Sequence, residues 1–184
     1  MLITSLTQKV EWLANQSRLF YHCIALYYKN IIKREVRLAN ITPNDNILCI
    51  GGGPCPYTAI MLHQLTGAKV TVIDNNKHCV KQSAELVKRL NLENSIRIIC
   101  GEGETIDYDG FTVIHLALQI TPKDKVLKRV LERAEEGVKI LVRMPRECSN
   151  RMHCKMESWS SSCYAHVVHD FFNNVKNTAL YIKE

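Results

Sequence analysis

Apolar residues near the start of the chain recur at the spacing of helices. Between residues 5 and 39 they recur at helical spacing, at Leu6, Val10, Leu13, Leu19, Phe20, Ile24, Tyr27 and Ile31. Asn15 interrupts this pattern, which predicts two helices. Pro43 ends it, because the residue before a proline disfavours helix. We therefore expect a helical cover over residues 1–40 and a second part over residues 41–184, together forming one structural unit.

From residue 46 onwards, short apolar runs alternate with stretches of helical spacing. The runs predict strands at 46–50, 68–74, 95–100, 111–118 and 138–144. Between them, helices are predicted from Pro56 to Leu65, from Lys77 to Leu90, and from a start at Thr121-Pro122 to a stop at Gly137. This alternation is typical of a parallel sheet with helices on both faces.

The apolar runs YAHVVHDFF and NTALYIKE close the chain and predict an antiparallel ribbon at the sheet edge. The expected fold class is therefore α/β, with a Rossmann-like, seven-stranded, mostly parallel sheet and an N-terminal helical cover.

Composition narrows the class of protein. The 184 residues are 46% apolar and 23% charged, as in an ordinary globular domain. No apolar run approaches the ~20 residues that span a bilayer, and the start MLITSLTQKVEWL lacks the pattern of a signal peptide. We expect a cytoplasmic protein without membrane contact, whose eight cysteines are reduced. The net charge of +6 suits an anionic substrate or RNA without choosing between them.

The first predicted strand runs into the turn GGGPCP, residues 51–56. Ligands of open α/β sheets bind outside the carboxyl ends of the strands, so this turn is a candidate nucleotide site. NAD needs a row of N–H donors for its pyrophosphate, and Pro54 and Pro56 each lack one. S-adenosylmethionine carries adenine, ribose and an amino acid but no phosphate, and it does not need those donors. The prolines therefore favour S-adenosylmethionine as the cofactor.

Polar residues follow the next two predicted strands. Asp74 lies 23 residues after Gly51, where an acid can accept hydrogen bonds from both ribose hydroxyls. The turn GEGE follows the third strand, and the carboxylate of Glu102 suits the amino group of adenine. The predicted cofactor-binding residues are Gly51, Gly52, Gly53, Asp74, Asn75, Glu102 and Gly103.

Over residues 40–184 these motifs resemble the class I S-adenosylmethionine-dependent methyltransferases. ILCIGGGP is similar to the first motif of that superfamily, Asp74 to its ribose-binding acid, and GEGE to its adenine-contacting turn. The resemblance implies that Gly51 and Gly53 line the methionine end of the cofactor. The chain departs from the superfamily at Cys49, because an acid usually stands two positions before the first glycine.

A narrower resemblance is to nicotianamine synthases, which move an aminopropyl group from the same cofactor. GGGPCPYTAIML is similar to their glycine–proline motif, and VIHLALQITPKDKVLKRVLERAEEGVKILVR to their fourth strand, helix and fifth strand. Those enzymes also lack the acid before the glycines, although their N-terminal helical region is longer. The sequence favours methyl transfer to a small-molecule acceptor. Aminopropyl transfer and cofactor binding without catalysis are the alternatives.

Three side chains are candidates for catalysis. Tyr21 and His22 lie on the predicted cover and could position a nucleophile. Tyr57 follows the glycine turn and could face the substrate, although a core or surface position is an equal alternative. His115 lies in the middle of a strand, which is typical of a core histidine whose hydrogen bonds are satisfied.

The residues after Pro145 raise two further alternatives. Their cysteines and histidines match no zinc-finger or ribbon spacing, so we predict no metal site at Cys148, His153, Cys154, Cys163, His166 and His169. A basic cluster in this region comprises Arg143, Arg146, Arg151 and Lys155. It could attract an anionic substrate, but it lacks the interleaved aromatic residues that are typical of nucleic-acid binding. The apolar N-terminal helices could also form a homodimer surface.

Overall fold

The computed structural model describes residues 18–146, 163–170 and 174–184, with side chains from residue 28 onwards. The elements, in chain order, are α1 (Arg18–Leu38), β1 (Asn46–Ile50), α2 (Tyr57–Thr66), β2 (Lys69–Asp74), α3 (Lys77–Arg89), β3 (Ile96–Cys100), β4 (Val113–Leu116), α4 (Lys123–Arg133), β5 (Lys139–Pro145), β6 (Ala165–Val168) and β7 (Val175–Ile182).

The described strands form one seven-stranded sheet in the order β3-β2-β1-β4-β5-β7-β6. Neighbouring strands from β1 to β5 pair in parallel, whereas β7 is antiparallel to both β5 and β6. The chain moves outward from β1 to β3 on one side and resumes at β4 on the other, which creates a topological switch point between β1 and β4. The predicted fold class and terminal ribbon are confirmed.

Helices cover both faces of this sheet. The first core layer lies under α1, α2 and α3, and it includes Ile32, Ile60, Leu62, Val87, Val72 and Leu141. The second layer lies under α4 and the connection from β3 to β4, and it includes Leu127, Val130, Tyr108, Ile114, Leu116 and Ile140. No helix among the described residues is long and apolar enough to cross a membrane.

The predicted element boundaries are close for β1, β2, β3 and α3, but the prediction for α4 is wrong at both ends. It begins at Lys123 and not at Thr121-Pro122, because Pro122 is the N-cap, and no side chain caps the helix. The helix stops at Arg133, since Ala134 is extended at ψ 152°. Gly137, at φ +81°, belongs instead to the turn that enters β5. The expected break at Asn15 lies outside the described residues.

Candidate cofactor-binding site

A cavity of about 350 Å³ opens at the carboxyl ends of β1 to β4. This volume lies within the range of small-molecule sites in proteins. Every residue predicted from the sequence to bind the cofactor lines it, together with Tyr57 from the first turn of α2 and Tyr28 from α1. The structure thus brings the predicted residues together, while their contacts with a ligand stay predictions.

Glycine is required where β1 turns into the cavity. Gly51 and Gly53 have φ values of +87° and +62°, which L side chains rarely adopt. Gly52 is required for space, because a Cβ there would lie 2.2 Å from the Cγ1 atom of Val72. The turn therefore passes close over the end of β2, which brings it beside Asp74.

All three glycine N–H groups are used inside the protein. Gly51 and Gly52 donate to the carbonyl of Ile73, at 2.9 and 3.3 Å. Gly53 donates to Oδ2 of Asp74 at 2.7 Å. These donors are already paired, and Pro54 has none to offer. The geometry agrees with the sequence argument for a ligand without a pyrophosphate.

Asp74 joins the glycine turn to the start of α3. Its Oδ1 accepts from the backbone N–H of Asn76 at 2.9 Å. Asn76 in turn caps α3, because its Oδ1 accepts from the N–H groups of His78 and Cys79 at 2.9 and 3.3 Å. The half-buried carboxylate of Asp74 is thus fixed in place at the mouth of the cavity.

The predicted adenine side is also preorganised. The Nδ2 atom of Asn75 donates to Oε2 of Glu102 at 3.3 Å, which connects the ends of β2 and β3. The hydroxyl of Tyr108 donates to the carbonyl of Gly103. A Cβ at Gly103 would lie 2.6 Å from a side-chain carbon of Ile50, so only glycine lets this turn approach β1 so closely.

Polar residues that the sequence analysis did not assign to the site form the floor of the cavity. Cys49, His115 and Arg143 line it, from β1, β4 and β5 respectively. Glu35 of α1 lies behind them and is fully buried. Arg143 donates to both oxygens of Glu35, from Nε at 2.8 Å and from a terminal nitrogen at 2.7 Å. Its other terminal nitrogen donates to the Thr58 hydroxyl at 2.9 Å.

This pairing corrects the expected role of Arg143 in a surface basic cluster. Its side chain is 4 % exposed, and its charge is matched by Glu35. Burial would raise the pKa of Glu35, but the charge of Arg143 and its hydrogen bonds, with a smaller contribution from the adjacent His115, hold that pKa far below its ordinary value. Glu35 is therefore ionised, and Arg143 does not present an unmatched charge to a substrate.

The polar network continues from Glu35 across the sheet to β7. Thr178 donates its hydroxyl proton to Oε1 of Glu35 at 2.7 Å. Nε2 of His169 lies 2.8 Å from the same hydroxyl. Because the hydroxyl has only one proton, His169 must donate from Nε2. Burial lowers the pKa of His169, which keeps it neutral in this tautomer at pH 7.

A buried lysine holds the loop after β4 against β5. The Nζ atom of Lys123 donates to the carbonyls of Leu118 and Arg143, both at 2.7 Å. Burial and the charge of Arg143 lower the pKa of Lys123 to about 7. Leu118 lines the cavity, so Lys123 shapes its wall without lining it.

The remaining candidates stay predictions. Tyr21 and His22 lie within α1, but their side chains fall outside the described residues. Tyr57 is buried against the cavity. Of the cysteines and histidines considered for zinc, Cys148, His153 and Cys154 lie outside the described residues. Within the described part of the chain, no three acidic, cysteine or histidine residues could hold a metal ion.

A signal for the missed floor residues was present in the sequence. His115 and Arg143 interrupt apolar strand runs, and a buried polar side chain needs a partner. Glu35 gave no comparable signal, because it stands in the mixed segment KREVRL and resembles an exposed helical residue. Its burial depends on how α1 packs against the sheet.

Comparisons with known proteins identify the family of the chain and its structural relatives. A family model of protein-L-isoaspartate(D-aspartate) O-methyltransferases matches residues 28–160. L-histidine 2-aminobutanoyltransferase of Yersinia pestis is 23% identical over 127 residues, which are 69% of this chain and 48% of that enzyme. The chain thus spans about half the length of this curated relative.

Two solved structures share the fold. A mutant of MtNAS, a nicotianamine synthase, in complex with S-adenosylmethionine has a TM-score of 0.81 and 18% identity over 98% of this chain and 75% of that one. An RNA methyltransferase from Salinibacter ruber with S-adenosylhomocysteine has a TM-score of 0.66 and 15% identity over 84% of this chain and 90% of that one.

These matches confirm the predicted superfamily, its narrower likeness to nicotianamine synthases and the predicted cofactor, S-adenosylmethionine. The chain belongs to the protein-L-isoaspartate(D-aspartate) O-methyltransferase (PCMT) family of the S-adenosylmethionine-dependent methyltransferase superfamily.

Proposed function

We propose that this chain is an aminobutanoyltransferase-like enzyme that moves the amino acid part of S-adenosylmethionine, the 3-amino-3-carboxypropyl group, to an amine of a small molecule. The observation that carries this proposal is Cys49 at the methionine end of the cavity. Burial raises the pKa of its thiol to about 12, with a smaller contribution from Glu35, so the side chain carries no charge at pH 7. It cannot pair ionically with the ammonium group of the cofactor.

The missing acid matters because of which group leaves the site. In methyl transfer the amino acid part of the cofactor does not react and leaves unchanged in S-adenosylhomocysteine, so an acid can hold its ammonium group throughout the reaction. In aminobutanoyl transfer this part joins the acceptor and must depart with the product. A site without an ionic anchor at position 49 suits the second case, because less binding energy holds the group in place.

The reaction is a displacement at carbon. The lone pair of the acceptor nitrogen forms a bond to Cγ of the amino acid part, the bond from Cγ to sulfur breaks, and its electron pair stays on sulfur. Methylthioadenosine leaves, and the acceptor nitrogen releases one proton to solvent or to a nearby base. Alignment of the two reactants can supply much of the acceleration, since effective molarities in such reactions are large.

The named relatives support this choice. The Yersinia pestis relative is an L-histidine 2-aminobutanoyltransferase, and MtNAS is a nicotianamine synthase that has also been solved with MTA and tNA. Methyl transfer to a small molecule is the second candidate, and the matching family model of O-methyltransferases supports it. In that reaction the acceptor attacks the methyl carbon, and S-adenosylhomocysteine remains.

For either reaction, the predicted cofactor-binding residues would fix the orientation of the cofactor in the cavity. Asp74 would accept from the ribose hydroxyls, and Glu102 from the amino group of adenine. Gly51 and Gly53 would pack against the amino acid part. The cover over residues 1–40 would close the cavity, as the position of Tyr28 in its wall suggests. The same proposal includes a homodimer that forms through this cover. It also includes an acceptor that is a small molecule.

The test is to identify the by-product. The purified chain is incubated with S-adenosylmethionine and a panel of free amino acids that includes L-histidine, and nucleosides are separated by chromatography. We expect methylthioadenosine in stoichiometric amount with an amino acid adduct, and loss of both in Asp74→Asn, whose amide is a poorer acceptor for the ribose. S-adenosylhomocysteine instead would replace the proposal with methyl transfer. Cofactor binding without either product would leave a non-catalytic binding protein.

A further inference from the structure

The uncharged thiol at position 49 raises the question of what receives the ammonium group of the cofactor. The register of the sheet answers it. Cys49 of β1 pairs directly with His115 of the parallel strand β4, and Leu141 of β5 follows on the other side of His115. His115 is therefore the neighbouring side chain on the same face of the sheet, and it lines the same cavity.

His115 does not have the hydrogen bonds expected of a core histidine. It exposes only 1 % of its surface, and its Nε2 atom has no hydrogen-bond partner among the described residues. The nearest acidic group is Glu35, whose Oε2 lies 3.4 Å from Nε2 without the alignment of a hydrogen bond. A buried polar atom without a partner is costly and needs an explanation, so His115 is not a core histidine held by a complete set of hydrogen bonds.

The surroundings of His115 decide which ring nitrogen carries the proton. The ionised carboxylate of Glu35, on α1, faces Nε2 and favours a proton there. Nδ1 then keeps its lone pair and can accept a hydrogen bond. Arg143 on β5 and Lys123 on α4 are the nearby positive groups, and Cys49 on β1 is uncharged.

We propose that His115 accepts a hydrogen bond from the ammonium group of the amino acid part of S-adenosylmethionine, in place of an acid at position 49. The inference rests on the proposed function and deepens it, since it assigns a role that none of the predicted binding residues fills. The group that binds the ammonium would then stand on β4 and not on the neighbouring strand β1, and it would be neutral. It would orient the amino acid part of the cofactor without forming an ion pair.

This anchor depends on pH. Burial and the charge of Arg143 lower the pKa of His115, against a smaller opposing contribution from Glu35, so the ring is neutral at pH 7. As the pH falls through the pKa of the folded state, the ring becomes an imidazolium that repels the ammonium group and can no longer accept from it. The contact is therefore present at neutral pH and lost in acid.

The test compares ligands that differ only at the amino acid part. S-adenosylhomocysteine and methylthioadenosine share adenosine and a thioether, but only the former has the ammonium group. We expect His115→Phe to weaken S-adenosylhomocysteine and S-adenosylmethionine by roughly 10- to 100-fold in titration calorimetry, the range of one hydrogen bond to a charged group. Methylthioadenosine should bind as before.

Two variants serve as controls. His115→Asn keeps an acceptor oxygen close to the position of Nδ1 and should recover most of the lost affinity. His78→Gln removes an exposed histidine at the start of α3 that does not line the cavity, and all three ligands should bind it as they bind the wild type.

The inference is overturned if His115→Phe binds S-adenosylhomocysteine normally, or if it loses methylthioadenosine to the same extent. Should His115→Phe fail to fold, the wild type decides. It must bind S-adenosylhomocysteine at least about 10-fold more tightly than the analogue that lacks only the amino group, and equal affinities overturn the inference. Wild type that binds these ligands but transfers no group would overturn the proposed reaction and leave the role of His115 standing. Wild type that binds none of the ligands would overturn the assignment of this cavity as the cofactor site, on which both proposals depend.

Discussion

The two faces of the sheet are built from the same strands but bury different chemistry. Under α4 the core is apolar, with Leu127 and Val130 packed on Ile114, Leu116 and Ile140. Under α1 the same central strands carry a polar row of Cys49, His115, Arg143 and Thr178, covered by Glu35. The first face stabilises the fold by excluding water. The second holds matched charges at the floor of the cavity.

The polar face is stable only because its charges are matched. Removing an ion pair from water is expensive, and only excellent geometry and additional hydrogen bonds offset it. Glu35 receives two hydrogen bonds from Arg143 and one from Thr178. The apolar face needs no such matching, so the two faces should respond differently to substitution. Three predictions test this difference.

Breaking the ion pair should have the largest effect. Arg143→Met leaves the carboxylate of Glu35 buried and unmatched, so we expect a loss of about 3–5 kcal/mol in the free energy of unfolding, measured with urea. The double variant Glu35→Met/Arg143→Met removes both charges and should recover most of that loss. If the double variant were as unstable as the single one, charge matching would not be what holds this face together.

A truncation on the apolar face should lower the free energy of unfolding somewhat less than the loss of the ion pair. No second substitution should restore it. Leu127→Ala removes a fully buried side chain under α4, and we expect a loss of about 2–5 kcal/mol from the lost burial and the cavity left behind. Affinity for S-adenosylhomocysteine should not change, because Leu127 does not line the cofactor cavity. A Leu127→Ala protein of normal stability but weakened ligand binding would contradict the division between the faces.

The smallest expected difference is that between the wild type and the double variant Glu35→Met/Arg143→Met in acid. The pKa values of Glu35, His115 and His169 are all lowered in the folded protein, so the unfolded chain takes up protons first. For the two histidines stability falls as the pH drops below about 6.5, and for Glu35 it falls below about 4.5. Each proton taken up contributes a slope of about 1.4 kcal/mol per pH unit.

The measurement is the free energy of unfolding from pH 7 to pH 4, compared between the wild type and the double variant Glu35→Met/Arg143→Met. The variant lacks Glu35 and so should lose stability less steeply below pH 4.5. Leu127→Ala should show the same slope as the wild type, because it changes no titrating group. Parallel curves for the wild type and the double variant would show that Glu35 does not control acid stability.

Local patterns were sufficient to predict most of the fold. Strand β1 was placed correctly because its apolar run is bounded by Asn46 and by the glycine turn. The end of α4 was misplaced because the helical spacing continues past Arg133, and only the exit of the chain towards β5 shows where the helix stops. Spacing describes elements well, whereas their ends depend on what they pack against.

The residues of the site also fall into two groups, those that local patterns predict and those that depend on packing. Residues at strand ends, such as Asp74 and Glu102, could be found because the carboxyl edge of a parallel sheet is known from the strands alone. The ion pair between Glu35 and Arg143 joins residues 108 positions apart, and no local pattern relates them. The tautomer of His115 depends on that pair in turn. The sequence marks His115 and Arg143 as polar residues in strands, but their partner Glu35 is identified only after α1 is placed on the sheet.

The paired glycine turn has a consequence for selectivity. Its N–H groups are already bonded to Ile73 and Asp74, so the turn is rigid before any ligand arrives and does not have to be ordered on binding. A phosphate placed there would lose its water and find these donors occupied. The turn would therefore discriminate against ATP and NAD, which share the adenosine but carry phosphates, through the cost of desolvating a charge rather than through a steric barrier.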